Sequence, residues 1–115
     1  MSEVSFLQDL VRRRGWRPVL AALDRDEREA LLYRWSAWSR PAQCAPAGDW
    51  RYWLVMAGRG FGKTRTGSEW LRARHMSGEC RASAVVGRTA PDVRDIMVEG
   101  PRGLRAVCPP RLRPR

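Results

Sequence analysis

The sequence has few of the residues from which metal sites and disulfide frameworks are built. Its 115 residues include three cysteines, with no Cys-X-X-Cys pair, and one histidine. An odd number of widely spaced cysteines with so little histidine argues against a zinc site or a disulfide scaffold. We therefore predict that Cys44, Cys80 and Cys108 are reduced thiols that pack as small hydrophobic side chains.

Long apolar runs are also absent. The longest stretches, near residues 53–58 and 82–87, have the length of a strand and are far shorter than a membrane span. The N-terminus lacks the basic-then-apolar order of a secretion signal. We therefore expect no membrane association and a cytoplasmic location.

Lysine is almost absent from a strongly basic chain. Of 22 Lys and Arg residues, only Lys63 is a lysine, and the formal net charge is +10. A site that requires a compact ammonium group rather than a planar guanidinium would retain its lysine in such a composition. The excess of basic residues itself fits either a surface that binds nucleic acid or phosphate, or an ordinary solvated surface.

The hydrophobic patterning indicates an α/β fold. It predicts, in order, a helix at 2–14, a helix at 24–38 with Asp24 and Glu27 as its capping box, a strand at 52–57, a helix at 64–75, a strand at 82–87 and a helix at 89–97. The second half is a βαβ unit, which builds parallel sheets. The predicted fold class is thus an incomplete parallel sheet preceded by N-terminal helices.

The same patterning divides the chain into three parts. Residues 1–48 are expected to form a helical segment that ends in a linker rich in Pro and Ala, and residues 49–100 the βαβ core. Residues 101–115 contain Pro and Arg without periodicity, so we expect this basic tail to be disordered.

The string AGRGFGKT at residues 57–64 matches the phosphate-binding pattern GxxxxGK[ST], except that Ala57 replaces the first glycine. Glycines allow the backbone N–H groups to surround an anion, and the following helix adds its partial positive charge. Lys63 would reach the β- and γ-phosphates of ATP, and the Thr64 hydroxyl would bind Mg²⁺. The predicted nucleotide-binding residues are Gly58, Arg59, Gly60, Phe61, Gly62, Lys63, Thr64 and Arg65.

Two further features upstream of this loop could contact the base of a nucleotide. Gln43 lies 20 residues before Lys63, and its amide can pair with the donor and acceptor edge of adenine. An exposed loop glutamine would look the same in the sequence. Trp50 and Trp53 could stack on the base, although aromatic residues at the start of a strand more often belong to the core.

The strings DWRYWLVMAGRGFGKTRTGSEWLR and GRTAPDVRDIMVEGPRGL make residues 31–110 resemble the start of the ATPase domain of the terminase large subunit. This family is the DNA-packaging motor of tailed bacteriophages and of gene transfer agents. The resemblance implies a P-loop NTPase fold of the RecA/ASCE type, ATP and Mg²⁺ as cofactors, and translocation of double-stranded DNA in the bacterial cytoplasm. It also implies a homo-oligomeric ring, a portal protein and a small terminase subunit as partners, and a coupling role for residues 89–94.

The sequence departs from this family in its catalytic acids. No apolar run ends in Asp-Glu, so the Walker B acid and the catalytic glutamate are absent, as are the nuclease carboxylates of the family. The sequence therefore indicates a truncated, frameshifted or split copy that binds ATP without a complete hydrolytic site. Two alternatives are another P-loop NTPase, such as a helicase-like protein or a kinase, and a non-enzymatic Arg-rich fragment that binds nucleic acid.

Overall fold

The computed structural model describes residues 3–115, which form two compact units, residues 3–39 and Arg40–Arg115. The boundary differs from the expected one, because residues 40–48 belong to the second unit and not to the N-terminal helical segment. Within residues 3–115 no helix combines the length and the apolar character that crossing a membrane requires.

The first unit consists of short helices. They are α1 at Glu3–Arg14, α2 at Trp16–Ala22, α3 at Arg25–Leu32 and α4 at Trp35–Trp38. The helix predicted at 2–14 is confirmed as α1, apart from residue 2, which lies outside the described residues. Gly15 separates α1 from α2 with a φ of 77°. Helix α2 was not predicted, although its Pro18 is in the first turn, where proline is tolerated.

The capping box at the start of α3 is confirmed. The Glu27 amide donates to Asp24 Oδ1 at 2.8 Å, and the Asp24 amide donates to Glu27 Oε2 at 2.9 Å. The helix predicted at 24–38 is interrupted at residues 33–34. After this break the Trp38 ring stacks on Trp16 with centroids 4.8 Å apart, and its Nε1 donates to the Leu31 carbonyl at 2.9 Å. The aromatic residues of this segment are therefore used in packing.

The second unit is arranged around helix α5, which spans Lys63–Met76. A π-helix at Asp92–Val98 and the short helix α6 at Leu104–Val107 both contact α5. Two 3-10 turns, Pro41–Gln43 and Pro110–Leu112, complete the unit. The predicted helix at 64–75 is confirmed, and the one at 89–97 is replaced over most of its length by the π-helix.

The predicted parallel sheet is wrong. No residue between 3 and 115 lies in a β-strand, and residues 52–57 and 82–87 have no regular structure and no ladder partner. Tyr52, Leu54 and Met56 are 91%, 78% and 85% exposed, and alternate with half-buried residues. An apolar run indicates that a segment can form a strand, but the strand itself requires a neighbour to accept and donate its backbone hydrogen bonds.

The C-terminal residues also differ from the expected disordered tail. Val107 is fully buried, and Cys108 and Pro109 are buried beside it. Helix α6 contacts α5, and the N–H of Val107 donates to the Gly103 carbonyl at 3.2 Å. Although the tail lacks helical periodicity, these few apolar residues are buried where α6 contacts α5.

Candidate phosphate-binding loop

The loop at residues 57–62 leads from the extended segment 52–57 into α5. Gly60 and Gly62 adopt φ values of 80° and 90°, and Gly62 is the N-cap residue of α5 in a left-handed conformation. The N–H of Phe61 donates to the Gly58 carbonyl at 3.4 Å, which closes a turn at the tip of the loop. The N–H groups in the first turn of any helix lack helical acceptors and so favour an anion at this position.

Lys63 folds back across this loop. Its Nζ donates to the carbonyl oxygens of Ala57 and Gly58, the second at 3.2 Å. The ammonium group is thus held at the start of the loop, and the residue remains exposed. Because these carbonyl contacts are on the protein surface, an anion can replace them without leaving a buried polar group unpaired.

Gln43 lies against the start of α5 rather than in solvent, and is 7% exposed. Its Nε2 donates to the Phe61 carbonyl at 3.3 Å and to Thr66 Oγ1 at 3.1 Å. Its Oε1 accepts from the backbone N–H of Arg40 at 3.1 Å and from Arg40 Nε at 3.3 Å. All four hydrogen-bonding positions of the amide are thus used within the chain, so an adenine could reach it only by displacing one of these bonds.

Arg40 is a loop contact that the sequence did not identify. Its Nη2 donates to the Phe61 carbonyl, and its guanidinium carbon lies 4.8 Å from the centroid of the Phe61 ring. Arg40 and Gln43 therefore hold the same carbonyl from one side. The only signal in the sequence was the three-residue spacing of Arg40 and Gln43. This spacing does not predict a contact with the carbonyl of Phe61, which lies 18 residues beyond Gln43. We call Arg40, Gln43, Phe61 and Thr66 the loop clamp.

Arg65 points along α5 and away from the loop. Its Nε and Nη2 each lie 2.9 Å from Glu69 Oε1, and Arg72 Nη1 lies 3.6 Å from the other carboxylate oxygen. Glu69 is 3% exposed. Its burial raises the pKa of this carboxyl above the ordinary value, while Arg65 and Arg72 act in the opposite direction. In this arrangement Arg65 stabilises a buried acid, whereas Arg59 is exposed in the turn of the loop.

A groove of about 420 Å³ runs along α5 from the loop. Lys63 and Thr64 line it together with apolar residues of α5, of the extended segment 82–87 and of the C-terminal helices, among them Trp70, Val85, Met97 and Leu104. Thr64 is half-buried there. The predicted Mg²⁺ ligand therefore lies where the polar loop meets an apolar surface.

The tryptophans near the loop pack against one another. The ring centroid of Trp50 lies 6.0 Å from that of Trp53 and 6.2 Å from that of Trp70 on α5. The Nε1 of Trp50 donates to the Pro46 carbonyl at 2.8 Å. Trp50 and Trp53 therefore belong to an aromatic cluster in which both side chains remain half-buried.

No group of three or more His, Cys, Asp or Glu side chains in the described part of the chain is arranged to hold a metal ion. Comparison of the chain with protein-family models, with curated proteins and with solved structures finds no match. The function proposed below therefore depends on the loop motif, its geometry and the resemblance described above.

Proposed function

We propose that the loop at residues 57–64 binds the triphosphate of ATP together with Mg²⁺, and that the chain is part of a DNA-packaging motor of the terminase large-subunit type. The observation that carries the proposal is the position of the Lys63 ammonium group, which bonds to the Ala57 and Gly58 carbonyls across the loop. The motif provides residue types that suit phosphate binding. The position of Lys63 close to Gly60 and Gly62, two glycines with left-handed backbone, supports phosphate binding by this loop.

The expected contacts follow from charge and geometry. Backbone N–H groups at the start of α5 would donate to phosphate oxygens, and Lys63 would exchange its carbonyl acceptors for the β- and γ-phosphates. Charge-assisted bonds to phosphate are stronger than bonds to neutral carbonyls, so this exchange is favourable. Thr64 would bind Mg²⁺ through its hydroxyl, and Arg59 would contact the γ-phosphate. No catalytic residue of this chain is proposed, because the sequence has no Walker B acid or catalytic glutamate.

The direct test is calorimetric titration of the full chain with a non-hydrolysable ATP analogue and Mg²⁺. Lys63→Ala and Lys63→Arg should each weaken binding by roughly ten- to a hundredfold, since a charged hydrogen bond is worth about 1.5–3 kcal/mol. Arg102→Ala removes the same charge from an exposed turn outside the loop and serves as the matched control. Equal affinities of the Lys63 variants and the control would overturn the proposal.

The motor assignment adds the partners that the resemblance implies. These are double-stranded DNA, a portal protein, a small terminase subunit and further copies of this chain in a ring, all in the cytoplasm of a bacterial host. Another P-loop NTPase would bind ATP through the same contacts, so the nucleic acid distinguishes the two. A packaging motor should prefer double-stranded DNA, whereas a helicase-like protein should prefer single strands and a kinase should bind neither specifically.

The net charge of +10 supports a second candidate function, an Arg-rich fragment that binds nucleic acid without ATP. Such binding releases counterions, and therefore weakens steeply as salt is raised. If DNA binding persists with this salt dependence while every titration with ATP is flat, the second candidate replaces the first.

A further inference from the structure

The turn after α5 brings the single histidine of the chain against two nucleophilic side chains. His75 Nε2 lies 2.8 Å from Ser83 Oγ and 3.7 Å from Cys80 Sγ. Gly78, at a φ of 78°, turns the chain, and the N–H of Cys80 donates to the Arg74 carbonyl at 3.2 Å. An imidazole nitrogen is thereby held within reach of both a thiol and a hydroxyl.

This cluster opens onto a cavity of about 710 Å³. Cys80 and Ser83 line it, together with Trp50 and Trp70, the basic Arg51 and Arg74, and the acidic Asp49 and Glu79. Cys80 is half-buried, and in the resting state its thiol donates to the Ala82 carbonyl at 3.1 Å. The cavity therefore offers a small reagent access to the sulfur, and its two arginines are balanced by two acids, of which Glu79 pairs with Arg74.

The other two cysteines lack this combination of features. Cys44 is exposed, and its Sγ lies 3.6 Å from the Arg40 carbonyl. Cys108 is buried, and its burial raises the pKa of the thiol. Because the chain has one histidine, Cys80 alone combines access to solvent with a neighbouring imidazole.

We propose that Cys80 is a modification site for low-molecular-weight disulfides, and that His75 acts as its base. His75 Nε2 takes the proton from Cys80 Sγ, and the thiolate attacks one sulfur of the disulfide. A bond forms between Cys80 Sγ and that sulfur while the original S–S bond breaks. The departing thiolate takes the proton back from His75, so the products are a mixed disulfide on Cys80 and one free thiol.

The reaction uses no residue of the phosphate-binding loop and does not depend on the proposed function. It is tested by incubating the full chain with glutathione disulfide at neutral pH and following all three cysteines by mass spectrometry of peptides. Cys80 should react roughly tenfold faster than Cys44, because only Cys80 has a neighbouring base that can take the thiol proton as the sulfur attacks. Cys108 should stay unmodified, which reports that the fold is intact.

Two variants separate the role of His75 from that of its surroundings. His75→Gln keeps a polar side chain but cannot take the proton, so the rate at Cys80 should fall to that of Cys44. Ser83→Ala removes the hydroxyl and keeps the contact between imidazole and thiol, so Cys80 should still react faster than Cys44. The proposal is overturned if Cys80 in the wild-type chain reacts no faster than Cys44. It is also overturned if His75→Gln leaves the ratio of the Cys80 rate to the Cys44 rate unchanged while Cys108 stays unmodified.

Discussion

At the scale of single residues, Gly62 determines how the loop enters α5. Its φ of 90° belongs to the left-handed region, and a Cβ built there would lie 2.9 Å from Gln43 Nε2. A side chain in this conformation costs about 1–2 kcal/mol before any clash is counted. The contact with Gln43 adds to this cost because Gln43 is held by four hydrogen bonds and has little freedom to move.

Gly62→Ala should therefore lower the free energy of unfolding by at least ~1–2 kcal/mol. Gly67→Ala is the matched control, since Gly67 lies within α5 and a Cβ there would meet nothing within 4 Å. Alanine at position 67 should raise stability by up to ~1 kcal/mol. Urea unfolding of the two variants checks the prediction, and an unchanged or increased stability of Gly62→Ala would contradict the backbone described here.

A substitution of Gln43 tests whether its amide holds the loop in place or contacts the adenine base of ATP. If its amide holds the loop, Gln43→Leu should weaken the binding of Mg²⁺-ATP and of inorganic tripolyphosphate by the same factor, roughly three- to tenfold for a lost hydrogen bond. If its amide reads adenine, only ATP binding should weaken. Parallel titrations of the two ligands decide between these roles, and a loss confined to ATP would show that the clamp opens when nucleotide binds.

At the scale of elements, the buried carboxyl of α5 makes the stability of this helix depend on pH. Burial raises the pKa of Glu69 from its ordinary value of 4.5, so the folded state binds more protons than the unfolded state above that pH. The contribution of Glu69 to the free energy of unfolding is complete below pH 4.5. It is lost as the pH rises through the raised pKa of Glu69 in the folded state. The free energy of unfolding of the wild type relative to Glu69→Gln should therefore fall as the pH rises, in urea unfolding measured from pH 4 upward. If the free energy of unfolding of the wild type relative to Glu69→Gln instead grows with pH, Arg65 and Arg72 lower the pKa of Glu69 by more than burial raises it.

The extended segments differ from α5 in their backbone hydrogen bonds. Residues 52–57 and 82–87 have no ladder partner, whereas α5 is a helix of 14 residues. Amide hydrogen exchange should thus be fast in both segments and slow in α5 beyond its first turn. Protection of residues 52–57 equal to that of α5 would contradict the unpaired conformation.

Local signals in the sequence predicted the helices better than the rest of the structure. The capping box at Asp24 and Glu27 acts within three residues, and α5 begins directly after the glycines that its motif requires. The apolar run at 52–57 could not predict a sheet, because a strand depends on a partner that the run does not specify. Gln43 was recognised as a candidate residue, but its contacts lie 18 and 23 residues away, and no local pattern encodes them.

At the scale of the whole molecule, the chain combines a net charge of +10 with few buried hydrophobic residues in either unit. Buried hydrophobic residues among those described are Val19, Leu31, Val107 and Cys108. A chain with so little buried apolar surface has a small margin of stability, and a ligand that binds only the folded state raises that margin. At a fixed concentration, Mg²⁺-ATP should therefore raise the melting temperature of the wild type more than that of Lys63→Ala, as measured by calorimetry.

The central claim is that the loop before α5 surrounds a triphosphate. Its most direct test is to follow the backbone amide resonances of the full chain by NMR during titration with a non-hydrolysable ATP analogue and Mg²⁺. The account predicts that the largest shifts occur at Gly60, Gly62, Lys63 and Thr64, with smaller ones at Arg40 and Gln43 through the loop clamp. Saturation of the protein with no shift at these loop amides, or with shifts confined to the basic residues of α1, would contradict it.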